Sequence, residues 1–337
     1  MNVQSIAAGA QSTCANGSAA ERGIVVEGLE REFGAGARAV DGIELEVAPG
    51  DLFGLLGPNG SGKTTTVRML TTLLPPTGGR ATVCGHDVVG AAARVRASIG
   101  VALQAVALDP LLTAWDHMRL VCTLQGMPAA RQRARIEELI ARVGLGDVLH
   151  RRVRTYSGGM QRRLDLALAL VHRPAILFLD EPTTGLDPQS RLALWDELDR
   201  LAHEEGVAVF LTTQYLEEAD ALADRVAILD HGRIVAEGSP SELKARLGGR
   251  RVVVRPARAG AAAHVEAILS RFGSAETTHD GCVRCRVDDG RVDLAVIVRA
   301  LDQAQIAVAS LEAHAPTLDD VFFAQTGRQL EGELASA

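Results

Sequence analysis

Short apolar runs alternate with helical periodicities along most of the chain. The run Leu52, Phe53, Gly54, Leu55, Leu56 reads as a strand buried on both faces, and a helix is expected over 64–74 behind it. Further strands are expected at 24–29, 43–47, 81–84, 99–103, 176–180 and 207–212. From about 108 to 152 the pattern turns helical, most clearly over 131–143, where Ile136, Leu139, Ile140 and Val143 recur on one face and Gly144 suits the C-terminus. Ser157 reads as the N-cap of a helix over 160–171, followed by helices over 188–203 and 216–223. A hairpin is expected around Asp230, His231 and Gly232, and a short helix over 239–247 closes the pattern. Strands alternating with helices predict an α/β core with a parallel sheet, interrupted by a helical subdomain at about 105–165.

The composition shifts at Gly248, Gly249, Arg250 and Arg251. Beyond it the pattern is strand 252–255, helix 261–272, strands 275–279 and 282–287, helix 292–303 and strand 306–312, then a helix over 317–325. This β-α-β-β-α-β order predicts a small α+β ferredoxin-like domain. The organisation expected is therefore a small, polar, disordered tail at 1–22, a core at 23–247, an accessory domain at 248–327 and a tail at 328–337.

The length of 337 residues suggests two or three domains, and 47% hydrophobic content is enough for substantial cores. A formal charge of −7 argues against a general nucleic-acid binder. No run of about 18 apolar residues is free of a charge or a break, so no membrane-spanning helix is expected. The first 22 residues lack the cationic and apolar regions of a secretory signal. Cys282 and Cys285 sit in a strand-like segment, which favours a structural reading of that C-x-x-C over metal binding. His264, His279 and His314 read as surface or packing histidines, and the arginines between 250 and 258 as a solvated face.

The strand at 52–56 feeds Gly57, Pro58, Asn59, Gly60, Ser61, Gly62, Lys63, Thr64 and Thr65, the pattern G-x-x-x-x-G-K-[ST] in its strand–loop–helix context. Glycines let backbone N–H groups approach phosphate oxygens, and the helix adds the positive end of its dipole. Lys63 supplies a point charge for the β- and γ-phosphates, and the Thr64 hydroxyl a ligand for Mg²⁺. Lys63 is one of only two lysines among 35 basic residues, kept where a compact ammonium suits a phosphate.

Two further features bear on chemistry. Ser157, Gly158 and Gly159, following Tyr156, place a serine and two glycines at a helix N-terminus, a second anion site. The strand Ile176, Leu177, Phe178, Leu179 ends in two adjacent acids, Asp180 and Glu181. A carboxylate beside a core is costly unless a cation or hydrogen bonds meet it. Mg²⁺ at Asp180 and a water at Glu181 would do so. Phe33, upstream of the phosphate loop, serves either as core or as a platform for an adenine ring.

In this order the motifs resemble the nucleotide-binding subunit of an ABC transporter, a P-loop NTPase, over about residues 23–247. The resemblance implies ATP and Mg²⁺ as cofactors and assigns roles by position. Phe33 would stack on adenine. Gln104 would be the lid-loop glutamine that contacts Mg²⁺ or the attacking water. Tyr156 to Met160 would be the signature, Asp180 the magnesium ligand, Glu181 the catalytic base and Asp187 the dimer-contacting loop. Two positions depart from the common pattern: Met160 stands where Gln is usual, and Gln214 where the switch histidine is usual. With the segment Pro316 to Phe322, these features resemble the daunorubicin/doxorubicin-resistance branch, which pairs with a separate permease and exports drugs or lipids.

That resemblance implies a head-to-tail ATP sandwich dimer, docked through the region from Gln104 to Arg119 on an integral-membrane permease at the cytoplasmic face. Two other readings differ in what they need. A soluble ABC ATPase acting on ribosomes or DNA favours paired cassettes or a long coiled-coil insertion. A non-hydrolysing regulator does not need Glu181.

Overall fold

The computed structural model describes residues 23–104, 107–247, 251–258, 260–278, 281–287 and 294–327. The expected tails at 1–22 and 328–337, the junction at 248–250 and His279 lie outside the described residues. β1 (Ile24–Phe33) and β2 (Ala37–Val47) pair antiparallel. β3 (Leu52–Leu56) enters the glycine-rich loop and α1 (Lys63–Leu70) leaves it. β4 (Gly78–Val83), β5 (His86–Asp87), α2 (Ala92–Ser98) and β6 (Ile99–Ala102) follow. α3 (Ala114–Leu124), α4 (Ala129–Arg142) and α5 (Gly158–Ala169) pack together as the helical insertion. Then come β7 (Ile176–Asp180), α6 (Pro188–His203), β8 (Ala208–Thr213), α7 (Leu216–Leu222), β9 (Arg225–Asp230), β10 (Arg233–Gly238) and α8 (Pro240–Arg246).

The central sheet runs β10-β9-β3-β8-β7-β6, parallel except for the β9–β10 hairpin. A second, antiparallel sheet runs β2-β1-β4-β5. β3 shows why its sequence reads as continuously apolar. Leu52 and Leu56 face the core shared with the helices, while Phe53 and Leu55 face the core under the antiparallel sheet. Phe53 and Phe178 each lie 5.5 Å from Phe210 in that second core. The parallel register puts Asp180 opposite Thr212 and Leu56 opposite Thr213, gathering three strand ends at one edge. α1 stops at Leu70, short of the expected 74. Thr72 there adopts a positive φ of 65°, and the approaching Pro75 disfavours further helix.

The C-terminal unit contains β11 (Arg251–Pro256), α9 (Ala262–Leu269), β12 (Gly273–Thr277), β13 (Val283–Val287), α10 (Leu294–Gln303) and β14 (Val308–His314). Its strands form one antiparallel sheet ordered β12-β13-β11-β14, as a ferredoxin-like module requires. Val252, Val254, Val265, Leu269, Val283, Ile297 and Leu301 form its separate core. Cys285 lies in that core and its thiol donates to the Leu269 carbonyl.

The last helix, α11 (Leu318–Thr326), is capped by Thr317 and Asp320. It does not share the core of the ferredoxin-like sheet. Its apolar residues Leu318, Val321 and Phe322 belong to the core of the helical side of the cassette, where α11 packs on α7, α8 and β10. α11 thus follows the ferredoxin-like strands in sequence but packs apart from their sheet: burying an apolar helix face decides its place, and sequence order does not.

Candidate nucleotide site

The loop after β3 is shaped by backbone that admits no side chain. Gly57 has φ of 155°, and a methyl there would lie 2.2 Å from the Leu229 carbonyl oxygen. Gly62, at φ of 112°, would place one 2.3 Å from the Ala39 carbonyl oxygen. Gly62 caps α1 without a side-chain acceptor, which leaves first-turn amides available. Ala39, Asn59, Gly60, Gly62, Lys63, Thr64, Thr65, Gln104 and Glu181 line a cavity of about 390 Å³. The ammonium of Lys63 donates to the carbonyls of Gly57 and Pro58 at 2.7 and 3.1 Å. Burial depresses its pKa, and the charges of Glu181 and Asp180 oppose that shift. The buried Ser61 hydroxyl has no hydrogen-bond partner. First-turn amides and a cation at one cavity, beside a buried hydroxyl with no partner, fit a polyphosphate.

The opposite wall comes from the strand ends. Asp180 is 1% exposed. Its Oδ1 accepts from the Thr64 hydroxyl at 3.2 Å and from the Thr212 hydroxyl at 2.6 Å. Glu181 adopts a positive φ of 49°, a strained conformation for a non-glycine residue. The strand neighbour holds it there: its N–H donates to the Thr212 carbonyl at 3.0 Å. Glu181 Oε2 accepts from Gln104 Nε2 at 3.1 Å and from the Thr184 hydroxyl at 3.4 Å. A carboxylate turned into a phosphate-sized cavity by strained backbone can orient a water beside it.

Other expected site residues stand elsewhere. Ser157 caps α5 by accepting from the Met160 N–H, and a methyl on Gly158 would meet no atom within 4 Å, so both lie open on the surface. Gly159 approaches α6 closely, with space for a methyl blocked by the Ser190 hydroxyl at 2.7 Å. Asp187 caps α6, accepting from the Ser190 N–H at 2.9 Å and its hydroxyl at 2.6 Å, and these bonds lower its pKa. None of these residues lines the cavity of their own chain.

The Tyr156 ring is buried in the core and its hydroxyl donates to the Val148 carbonyl at 2.7 Å, so the side chain does not line this cavity. Phe33 does not line the cavity; it is 43% exposed, with the Arg31 guanidinium 4.8 Å from its ring centre. Gln214 is half-buried, outside the cavity lining.

Sequence reading missed Arg162 and Glu218. The buried guanidinium of Arg162 donates to the carbonyls of Leu103 at 2.6 Å, Pro182 at 3.0 Å and Asp180 at 3.0 Å, beside Asp165. It ties the residue before Gln104 to the strand end carrying Asp180 and Glu181. The only available signal was the Arg162–Asp165 spacing of three within a helix. Glu218 is 1% exposed beside the exposed Glu217, a distinction that no local pattern makes.

The family described as ABC transporter matches residues 40–184, and that described as ATP-binding protein DrrA1-3-like, C-terminal domain, matches residues 238–326. The daunorubicin resistance ATP-binding protein DrrA3 of Streptomyces coeruleorubidus is 47% identical over 91% of this chain and 97% of its own. The chain belongs to the ABC transporter family of ATP-binding proteins. As an ABC ATPase it binds and hydrolyses ATP. The daunorubicin/doxorubicin resistance ATP-binding protein DrrA of Streptomyces peucetius is 45% identical, over 91% of this chain and 93% of its own. The linearmycin resistance ATP-binding protein LnrL of Bacillus subtilis is 33% identical, over 91% and 99%. Among solved structures, the dimeric post-hydrolysis state of an ATP-binding cassette bound to ADP and Pi superposes with a TM-score of 0.60 at 25% identity. It covers 64% of this chain and 98% of that one. The cbiO1 subunit from Clostridium perfringens gives 0.62 at 26% identity, over 66% and 91%. Among the described residues, no helix of this ABC ATPase is long and apolar enough to cross a membrane.

Proposed function

We propose that this ABC ATPase powers export of an amphiphilic drug or lipid through a separate integral-membrane permease, at the cytoplasmic face of the membrane. The observation that carries the catalytic part is Glu181, held at positive φ and bonded to Gln104 at the wall of the phosphate-loop cavity. Lys63 and the loop amides hold the phosphates. The hydroxyl of Thr64, the Asp180 carboxylate and Gln104 are hard oxygen donors that would hold Mg²⁺, which when bound polarises the phosphoryl oxygens. Glu181 orients and accepts a proton from the attacking water, with Gln104 and Thr184 fixing its carboxylate.

One chain leaves the γ-phosphate open on one side. Ser157, Gly158 and Gly159 of a second copy fill that side in a two-fold, head-to-tail sandwich, with Asp187 at the contact. The exposure of Ser157 and Gly158, away from their own cavity, supports this arrangement, as do the dimeric solved cassettes. Phe33 offers an exposed ring to adenine. Gln214 serves as a neutral γ-phosphate sensor.

A cavity of about 470 Å³ between α5, α3 and the end of α1, lined by Leu73, Leu103, Val121 and Leu168 among others, supports docking of an apolar permease segment. Leu120 and Leu124, 51% and 75% exposed, extend that surface on α3. The relatives' names, daunorubicin resistance, linearmycin resistance and Nod factor export, support an amphiphilic cargo and no nucleic-acid partner. The test is co-expression with the neighbouring permease. Co-purification and ATP-dependent efflux from a panel of amphiphiles are expected. A chain that hydrolyses ATP but neither retains a permease nor supports efflux would overturn the reading.

A further inference from the structure

α7 starts two residues after Gln214 and stands between the strand ends and the C-terminal helix. Its Ala219, and Ala223 just past its end, pack on β3 at Gly54, where a methyl would come within 3.8 and 3.5 Å of their side chains. Leu216 and Ala219 share one apolar core with Leu318, Val321 and Phe322 of α11, each of the latter at most 2% exposed. Lys244 of α8 pairs with Asp220 of α7 at 2.6 Å, adding a charged tie on the same side.

Glu218 points from α7 toward the nucleotide site. Its Oε2 accepts from the Thr183 hydroxyl at 3.0 Å and its Oε1 from Trp195 Nε1 of α6 at 3.3 Å. Thr183 lies two residues beyond Glu181 in the same tight turn. Burial pushes the Glu218 carboxyl up from its ordinary pKa, while hydrogen bonds from Thr213, Thr183 and Trp195 pull it back. A buried acid is a costly way to fill a core position, and an apolar side chain of similar size would pack there without that cost. What the acid adds is directed bonding, and two of its bonds reach the turn bearing Glu181 and α6.

We propose that Glu218 is a positioning residue for ATP hydrolysis, and that α11, packed behind α7, sets where Glu218 stands, so that this last helix controls the turn carrying Glu181. This rests on the reading of Glu181 as the catalytic base. A base displaced by a fraction of an ångström loses its alignment with the water, and about 1 Å can cost 10²-fold in rate.

The chemistry of the two bonds makes the role separable from mere filling. Trp195 can only donate, whereas the Thr183 hydroxyl can donate or accept. A glutamine at 218 can accept from Trp195 and donate to Thr183, keeping both bonds; a leucine keeps the volume and neither bond. In the full chain, Glu218→Leu is expected to lower kcat about 10-fold or more with the KM for ATP changed less than about two-fold, and Glu218→Gln to recover most of the loss. Phe322→Ala is expected to lower kcat about five-fold with unchanged KM and to speed hydrogen exchange over 181–187 and 213–222. The double variant Phe322→Ala/Glu218→Leu should lose no more than the worse single change, because both act by one route. The exposed neighbour Phe323 serves as control, and Phe323→Ser should leave kcat and exchange unaltered.

Wild-type kcat in a folded Phe322→Ala chain overturns the proposal, as do effects that multiply in the double variant or a Glu218→Gln chain as slow as Glu218→Leu. If Phe322→Ala does not fold, Phe322→Leu reads the same quantities, and unchanged kcat and exchange there are equally fatal. Lys63→Ala in the same series keeps the two readings apart. Undiminished turnover in it sinks the assignment of the ATP site, whereas an inactive Lys63→Ala beside a wild-type Phe322→Ala sinks only the role of α11.

Discussion

Gln104 Nε2 donates to Glu181 Oε2 across 3.1 Å, joining the loop after β6 to the end of β7. The bond gives Glu181 a partner on a separate loop, while Thr184 at 3.4 Å holds the same oxygen from its own turn. Replacing the acid by its amide tests which property matters. Glu181→Gln keeps the shape and removes the charge that accepts the proton, so kcat should fall on the order of 10²-fold or more. ATP should still bind, and a nucleotide-bound dimer should accumulate. Full phosphate release by this variant would place the base elsewhere.

Arg162 donates to three carbonyls on two loops. Arg162→Ala leaves those oxygens without donors and should destabilise the fold by about 3 kcal/mol, in the range for breaking a buried charged network. Arg162→Lys should not rescue turnover, because one ammonium cannot span the fork of a guanidinium. Melting temperature and kcat read the two effects. A lysine variant with wild-type kcat would show that the clamp is dispensable.

Gln214 bears a neutral amide where a histidine, which can also carry charge, is usual, and charge-assisted bonds are roughly twice as strong. Basal turnover is therefore expected to be slow and to rise with the permease bound. Gln214→His should be tolerated, and Gln214→Ala should cost roughly 10-fold in kcat by removing one transition-state donor. Unchanged turnover in Gln214→Ala would withdraw the sensor role.

Ser157 and Lys63 belong to different halves of a composite site in the sandwich arrangement. Ser157→Arg should block the partner's γ-phosphate, and Lys63→Ala its own. Mixed dimers of the two variants should retain at most one intact site and regain part of the activity that each variant alone lacks. Two variants that stay inert when mixed, at concentrations where the dimer forms, would argue against a shared site.

Asp165 is buried beside Arg162, and burial raises its pKa to about 6 against an ordinary 3.8. The protonated acid is thus favoured in the folded chain. The stability it contributes is complete below about 3.8, fades as pH rises toward 6, and is absent above. A shift of about two units corresponds to roughly 3 kcal/mol. Arg96 and His172 line the same groove, and burial holds the His172 imidazole below its ordinary value. Asp165→Asn mimics the protonated form, and its denaturation midpoint should exceed the wild type's at pH 7.5 by more than at pH 5. A gap that does not depend on pH would show that Asp165 titrates normally.

Elements whose signal lies within a few neighbours were legible along the chain. The helix of 188–203 carries its own cap and proline and appears at those bounds as α6. β7 appears over the apolar run that ends at Asp180. The phosphate loop is legible because glycine is the only residue whose backbone can turn at Gly57 and Gly62 without striking the Leu229 and Ala39 carbonyls.

Burial, register and strain are relations between distant residues, and these only the tertiary structure decided. Tyr156 stands next to a capping serine, yet the pull of the helical core turns its ring inward. Glu217 and Glu218 are the same residue type in the same helix turn, and only the contacts of Thr183 and Trp195 separate the exposed acid from the buried one. Glu181 takes its positive φ because Thr212, thirty-one residues away, holds its N–H through the parallel register of β7 and β8. α11 follows the ferredoxin-like strands in sequence and leaves their core in space, because its apolar face is buried by α7, α8 and β10. Local propensity names the element; the partner that excludes water from it sets its place.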